Sequence, residues 1–335
     1  MGICDKIIEN FCGVKKMINV AVLGTGKIIP EAIEAIQASK KFNVAVIWAR
    51  PHSHDKAQIL AEKFHVERIS TNLDELLNDT TIDFAYIGLV NSVHFEYAKK
   101  FLDAGKNVIV EKPFTVNFDE AKKLADLAIS KKLYLFEAIT NLHMPNFFAV
   151  KNAIKNLGEI KFIQANYSQY SSRYDDYKSG KIAPAFDKKF YGGALRDLNV
   201  YNINPIVKLF GMPKKINYTA NFGFNGVDTS GILILEYEKF IASCIAAKDS
   251  ESPSYFLIQG DNGYIKINSA PNIFGNVEIK IRGKEIENFN ENKFENRMVH
   301  EFIDFGKIFE EKNYSAVEDY LKTSLNVVKI LEMCN

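Results

Sequence analysis

The chain has 335 residues, 42 Lys and Arg against 41 Asp and Glu, a formal net charge of +1, and is 47% hydrophobic and 25% charged. Such a length is enough for two domains, the composition is that of an ordinary globular protein, and the balanced charge offers no electrostatic footprint for nucleic acid. No apolar stretch reaches the ~18 uncharged residues that a membrane span requires.

Cys4, Cys12, Cys244 and Cys334 are scattered without metal-ligand spacing, and no signal-peptide pattern precedes the first strand, so a reduced cytoplasm is the simplest compartment. Residues 1–16 read as an extension before the first strand, with Met17 an alternative start. The segment Ile18 to Pro30, INVAVLGTGKIIP, then joins an apolar β-run to a helical pattern through Gly24 and Gly26. Gly24 permits the tight turn and Gly26 a close approach of backbone to ligand. The helix that follows aims unpaired N–H groups at a phosphate. The stretch Gly24, Thr25, Gly26, Lys27 and Ile28 is therefore a candidate pyrophosphate cradle, although Ile29 stands where the fingerprint has its third glycine.

Strands and helices then alternate. A helix to about Ser39 is followed by the strand Val44 to Ala49, a helix over Asp55 to Phe64, a short strand near Arg68 to Ser70, and the strand Phe84 to Leu89. Helix Val93 to Ala104 stops at Gly105, strand Asn107 to Val110 runs into Glu111, Lys112 and Pro113, and helix Phe118 to Ser130 leads to strand Tyr134 to Phe136. This order predicts an α/β fold with a doubly wound parallel sheet, a Rossmann domain over residues 17–140. Gly24, Arg50, Asn91 and Lys112 all fall at the carboxyl ends of its strands, where dinucleotides bind. The second strand ends in Arg50 rather than in an acid, and the first acid is Asp55. An arginine there suits a ribose 2′-phosphate, with Lys56 a second cation, so NADP(H) is preferred and NAD(H) is possible. A solvated arginine after a strand is the alternative.

Beyond about residue 145 the rhythm changes. Helix Asn146 to Asn156 ends at Gly158. Alternating runs follow at Ile160 to Tyr170, Ile216 to Phe224, Gly231 to Tyr237, Phe240 to Ala246, Tyr255 to Gly260, Tyr264 to Asn268 and Val277 to Ile281. Short turns such as Gly260-Asp261-Asn262-Gly263 mark hairpins of a large antiparallel sheet. Two closing helices, about Phe294 to Glu311 and Ala316 to Glu332, are expected beside that sheet or back on the first domain. Residues 141–335 are thus an α+β domain, and a sheet face left uncovered predicts a homodimer.

The segments INVAVLGTGKI, GLVNSVHFEYAKKFLDAGKNVIVEKPFTVNFDEA, YLFEAITNLHMP and YGGALRDLNVYNI together resemble the glucose-fructose oxidoreductase and inositol dehydrogenase family, nearest its dimeric dihydrodiol dehydrogenase branch. The resemblance implies hydride transfer between NAD(P) and a hydroxyl or carbonyl carbon, commonly of a sugar, cyclitol or diol. It also implies an acid and a histidine or tyrosine at the reacting hydroxyl, positions held here by Asp197 and Tyr201, and a histidine near the cofactor, which would be His94.

The chemistry can be reasoned beside the resemblance. As hydride leaves carbon, a proton must leave the hydroxyl, and the reverse reaction needs a proton donor. Lys112, next to an oxidised nicotinamide, is expected to have a lowered pKa and to hold the substrate oxygen or exchange its proton. Asp197 and Tyr201 lie one turn apart on one helix face behind Gly192 and Gly193. A phenol with a reference pKa of about 10 becomes a useful donor when a cation stabilises its anion. Arg173 and His143, with Asn141, Tyr170 and Arg196, are candidates to line a pocket for a small polyhydroxylated substrate. Asn199 and Val90 depart from the family's glycine and proline. A non-catalytic, dinucleotide-sensing protein of the same fold is the competing reading, against which Lys112 and Tyr201 both argue. His52 and His54 read as a solvated loop rather than a metal pair.

Overall fold

The computed structural model describes residues 17–334; the extension at 1–16, with Cys4 and Cys12, lies outside the described residues. The first sheet alternates β1 (Ile18–Leu23), α1 (Ile28–Ala38), β2 (Phe42–Trp48), α2 (His54–Phe64), β3 (Ile69–Ser70), α3 (Leu73–Asn78), β4 (Phe84–Ile87), α4 (His94–Asp103), β5 (Asn107–Glu111), α5 (Phe118–Lys131) and β6 (Leu135–Ala138). Its order is β3-β2-β1-β4-β5-β6, and every pairing is parallel. Helices on both faces bury these strands, so Val20 to Leu23 and Phe84 to Ile87 are unbroken apolar runs without exposed surface. Strand order reverses between β1 and β4, and the carboxyl ends there open a crevice.

The second part contains α6 (Pro145–Ala153), β7 (Ile160–Ser168), α7 (Tyr174–Lys178), α8 (Val200–Phe210), β8 (Lys215–Phe222), β9 (Asp228–Glu236), β10 (Ile241–Ala247), β11 (Tyr255–Gly260), β12 (Gly263–Ile267), β13 (Val277–Ile281), β14 (Glu287–Phe289), α9 (Met298–Glu310) and α10 (Tyr314–Met333). The eight strands run in the order β14-β13-β12-β11-β7-β10-β9-β8. All neighbours are antiparallel except β7 and β10. One face packs on α8. The other leaves Phe162, Ile232 and Ile241 exposed, with Ile241 paired to Phe162 and Ile245 to Ile232.

One local expectation shifts and another is narrowed. The helix after residue 145 is α-helical only to Ala153 and tightens into a 3₁₀ turn, Ile154–Leu157, before Gly158 at φ +72°. Of the two places expected for the closing helices, α9 takes the one back on the first domain and α10 lies between the two. Met298, Val299, Phe302, Phe305 and Ile308 of α9 join the first sheet's core. Phe302 meets Phe42 edge-on at 5.9 Å and Phe305 stacks on Phe136 at 4.4 Å. Helix α10 divides its apolar face, giving Val317, Leu321 and Val328 to the first core and Val327, Ile330 and Leu331 to the second.

Candidate active site

The crevice at the β1 and β4 ends is a cleft of about 500 Å³. Gly24, Thr25, Gly26, Lys27 and Ile28 form one wall, joined by Glu31, Arg50, His52, Ser53 and the 88–90 segment. Gly24 has φ +120°, and a Cβ there would stand 2.7 Å from the Gly88 carbonyl oxygen, so only glycine fits this turn. The irregular third position also has a physical account. A Cβ on Gly88 would lie 2.5 Å from Cδ1 of Ile29: the glycine that lets helix and sheet approach sits on the neighbouring strand end instead of in the helix. Arg50 closes β2 with an exposed side chain that has no hydrogen-bond or ion-pair partner among the described residues. Asp55 is fully exposed and Lys56 is exposed; both lie outside the cleft wall, which His52 and Ser53 of a 3₁₀ turn occupy instead.

A second pocket of about 310 Å³ shares Ile28 and Leu89 with the cleft and contains Asn91, Glu111, Lys112, Asp197, Tyr201 and Arg297. Lys112, at the end of β5 before a cis Lys112–Pro113 peptide, donates from Nζ to Asp197 Oδ1 at 2.9 Å and to the Asp197 carbonyl at 3.0 Å. Its ammonium stands 5.0 Å above the Tyr201 ring. Asp197 belongs to a π-helical turn, Leu195–Asn199, that precedes α8, whose second residue is Tyr201. Lys248 completes the carboxylate from the other side, with Nζ 2.8 Å from Asp197 Oδ2 and 2.6 Å from the Ala185 carbonyl. Burial alone would raise the Asp197 carboxyl; the two ammonium groups hold it well below the usual carboxylate range. Burial likewise disfavours the Lys112 cation, and the Asp197 carboxylate more than offsets this, leaving Lys112 above an ordinary lysine. The expected lowering of the Lys112 pKa is therefore not what the protein's own groups produce. The Lys112 ammonium is locked by its carboxylate, a geometry that suits holding an oxygen better than exchanging a proton.

Three sequence-derived site residues lie elsewhere than expected. His94 does not line the cleft: it is fully buried, its ring nitrogens 3.0 Å from the Pro113 carbonyl oxygen and 3.1 Å from that of Leu89, and burial lowers its pKa. It braces the two strand ends from behind, and Pro113 likewise presents its carbonyl to His94. His143 is not a pocket residue either; its Nδ1 pairs with Asp304 at 2.7 Å between the rings of Phe305 and Tyr320. Arg173 belongs to the glycine-turn cleft and to the gap beside Asn91 and Asp197, not to the pocket around Lys112. Glu111 reaches the pocket while accepting the Tyr86 hydroxyl at 2.5 Å, and burial raises its pKa. Asn91 donates to the Tyr191 carbonyl at 3.3 Å.

Two residues went unread in the sequence. Lys248 continues the inward positions of β10, after Ala242, Cys244 and Ala246, so period-two counting marks it as an inward lysine. Arg297, beside α9, carries no local signal. Its guanidinium lies against the Tyr201 phenol and also binds the Glu31 carboxylate.

Comparison with known proteins accords with this geometry. Residues 18–138 match the oxidoreductase family with an NAD-binding Rossmann fold, and residues 149–266 match the GFO/IDH/MocA C-terminal domain. The chain belongs to the GFO/IDH/MocA oxidoreductase family. Among its relatives is scyllo-inositol 2-dehydrogenase (NADP(+)) IolU of Bacillus subtilis, 32% identical over 94% of this chain and 95% of that one. Trans-1,2-dihydrobenzene-1,2-diol dehydrogenase of Xenopus tropicalis is 27% identical over 79% of this chain and 78% of the other. The structure of levoglucosan dehydrogenase with NADH and levoglucosan shares the fold, with a TM-score of 0.82 at 20% identity over 95% of this chain and 97% of that one. As in the rest of the family, the first sheet is an NAD(P)-binding Rossmann domain. Among the described residues, no helix is long and apolar enough to cross a membrane.

Proposed function

We propose that this GFO/IDH/MocA protein is an NADP(H)-preferring dehydrogenase or reductase acting on a CH–OH or carbonyl carbon of a sugar, cyclitol or diol. The observation that carries the reading is the Lys112–Asp197 pair beneath the Tyr201 ring, in a pocket that shares Ile28 and Leu89 with the glycine-turn cleft. The cleft suits a dinucleotide phosphate: its turn admits no Cβ at Gly24, α1 begins at its wall, and Arg50 is a cation without a partner among the described residues. Arg50, Ser53 and His52 would hold a 2′-phosphate, and the relative IolU is named for NADP(+).

NADP(H), when bound, accepts or supplies the hydride. Lys112 holds the substrate oxygen as a cation, Asp197 fixes Lys112, and Tyr201, with Lys112 over its ring and Arg297 beside it, takes or gives the proton at that oxygen. The apolar open face of the second sheet, with Phe162, Ile232 and Ile241, is the surface through which we expect a homodimer.

The test is fluorescence titration with NADPH and NADH, followed by a panel of inositols, sugars and diols monitored by nicotinamide absorbance. Tight NADPH binding with turnover of a sugar, cyclitol or diol supports the reading. Binding with a silent panel favours a sensor, and no binding of either dinucleotide overturns the argument from Gly24 onward. Light scattering of Ile232→Lys against wild type tests the dimer.

A further inference from the structure

A cavity of about 380 Å³ between the 188–196 segment and the β8–β9 edge of the second sheet shares no residue with the pocket around Lys112. Lys188, Arg196, Tyr218, Phe222, Asp228 and Cys334 are in its wall. Arg196 is only 5% exposed, and its hydrogen bonding is incomplete. Of the five N–H donors of a guanidinium, one from Nη1 reaches the Val116 carbonyl at 3.3 Å, while the buried Nη2 has no partner among the described residues. The Tyr191 ring lies 5.5 Å from Cζ, and among the described residues no carboxylate forms an ion pair with this cation. Asp228, in the same wall, is otherwise engaged: its Oδ2 accepts from the Leu195 N–H and the Tyr218 hydroxyl, both at 2.7 Å. A buried, unpaired guanidinium is costly and is normally matched by an anion.

We propose that this cavity binds a small carboxylate bearing hydroxyl groups, its carboxylate on Arg196 and its hydroxyls toward Asp228 and Tyr218. Among the described residues of the wall, Arg196 and Lys188 are two cations against the one carboxylate of Asp228, so an anion completes its charge. Phe222 and the Tyr191 ring offer apolar flanks for a carbon chain. The volume is that of a small-molecule site. Arg196 directly precedes Asp197 in the π-helical turn, so a bound carboxylate rests one residue from the carboxylate that holds Lys112.

The experiment is calorimetric titration of the full chain, saturated with NADPH, with D-gluconate at constant ionic strength. It is accompanied by hydrogen exchange of the wild type with and without gluconate. The expected result is saturable binding of one gluconate per chain, with added protection at 218–222 and 226–228, and affinity reduced about 10-fold or more in Arg196→Gln. The proposal is overturned by absence of saturable binding, by protection confined to the residues around Lys112 and Tyr201, or by unchanged affinity in Arg196→Gln. If Arg196→Gln fails to fold, Lys188→Ala at the exposed rim replaces it, with weaker binding expected; the wild-type exchange map decides independently of either variant.

Discussion

Replacing Lys112 by alanine separates chemistry from structure, because Asp197 keeps a second cation. In the wild type the Lys112 ammonium makes two hydrogen bonds to Asp197, at 2.9 and 3.0 Å, while Lys248 holds the other carboxylate oxygen at 2.8 Å. Deleting Lys112 removes one charged pair and leaves no buried carboxylate uncompensated. The Asp197 side chain is 35% exposed, so solvent screens the lost pair and the stability cost is expected at ~1–2 kcal/mol. The loss in turnover is expected to be at least ~100-fold, about 2.7 kcal/mol of transition-state stabilisation. Affinity for NADPH should stay nearly unchanged. Asp197→Asn is the contrasting perturbation. It strands two ammonium groups, so stability should fall by ~3 kcal/mol or more together with activity. Steady-state turnover, NADPH titration and denaturant unfolding of both variants make the comparison. Near-normal turnover in Lys112→Ala would refute the assigned role. A larger stability loss in Lys112→Ala than in Asp197→Asn would refute the two-cation account of Asp197.

Other outcomes follow from the same geometry. Arg50→Ala should weaken NADPH by ~1.5–3 kcal/mol, the scale of a charged hydrogen bond, and NADH much less; equal losses in parallel titrations would show that Arg50 does not read a 2′-phosphate. Gly88→Ala should destabilise the fold by ~1–3 kcal/mol through overpacking on Ile29, and Ile29→Ala in the same chain should recover part of it, as a denaturant double-mutant cycle would register. Burial pushes the Glu137 carboxyl up from 4.5 to about 7. A raised folded-state pKa means the folded chain binds the proton more tightly, so this group's stabilisation is complete below about pH 4.5 and is lost as pH rises toward 7, by up to roughly 3 kcal/mol. Glu137→Gln should flatten that slope in unfolding curves, and an unchanged slope would assign it to other acids.

What could be read from the sequence was what is local along it. The glycine turn, the Glu111-Lys112-Pro113 strand end and the Asp197 to Tyr201 spacing each sit within a few residues, and alternation of strands and helices marked the first sheet as parallel and doubly wound. Contacts made across the fold were out of reach. Arg297 meets Tyr201 from the far end of the chain, His143 turns from the pocket because Asp304 offers it a carboxylate, and Ile29 is tolerated because Gly88 makes room. Lys248 is the intermediate case, marked by strand parity but lacking any stated partner until Asp197 is placed. The closing helices were open between two places because an amphipathic pattern says that a face is buried, not against which sheet.

The passage of α9 into the first sheet has a consequence for how the protein is made. Phe42 and Phe136 leave the ribosome long before Phe302 and Phe305, which cover them. The nucleotide-binding core therefore stays open along one side during synthesis of the whole second sheet, and a fragment ending near residue 140 would expose that side to water. Division into two sheets is not division into two separable pieces: the first half of this chain becomes complete only when nearly all of the second has been translated.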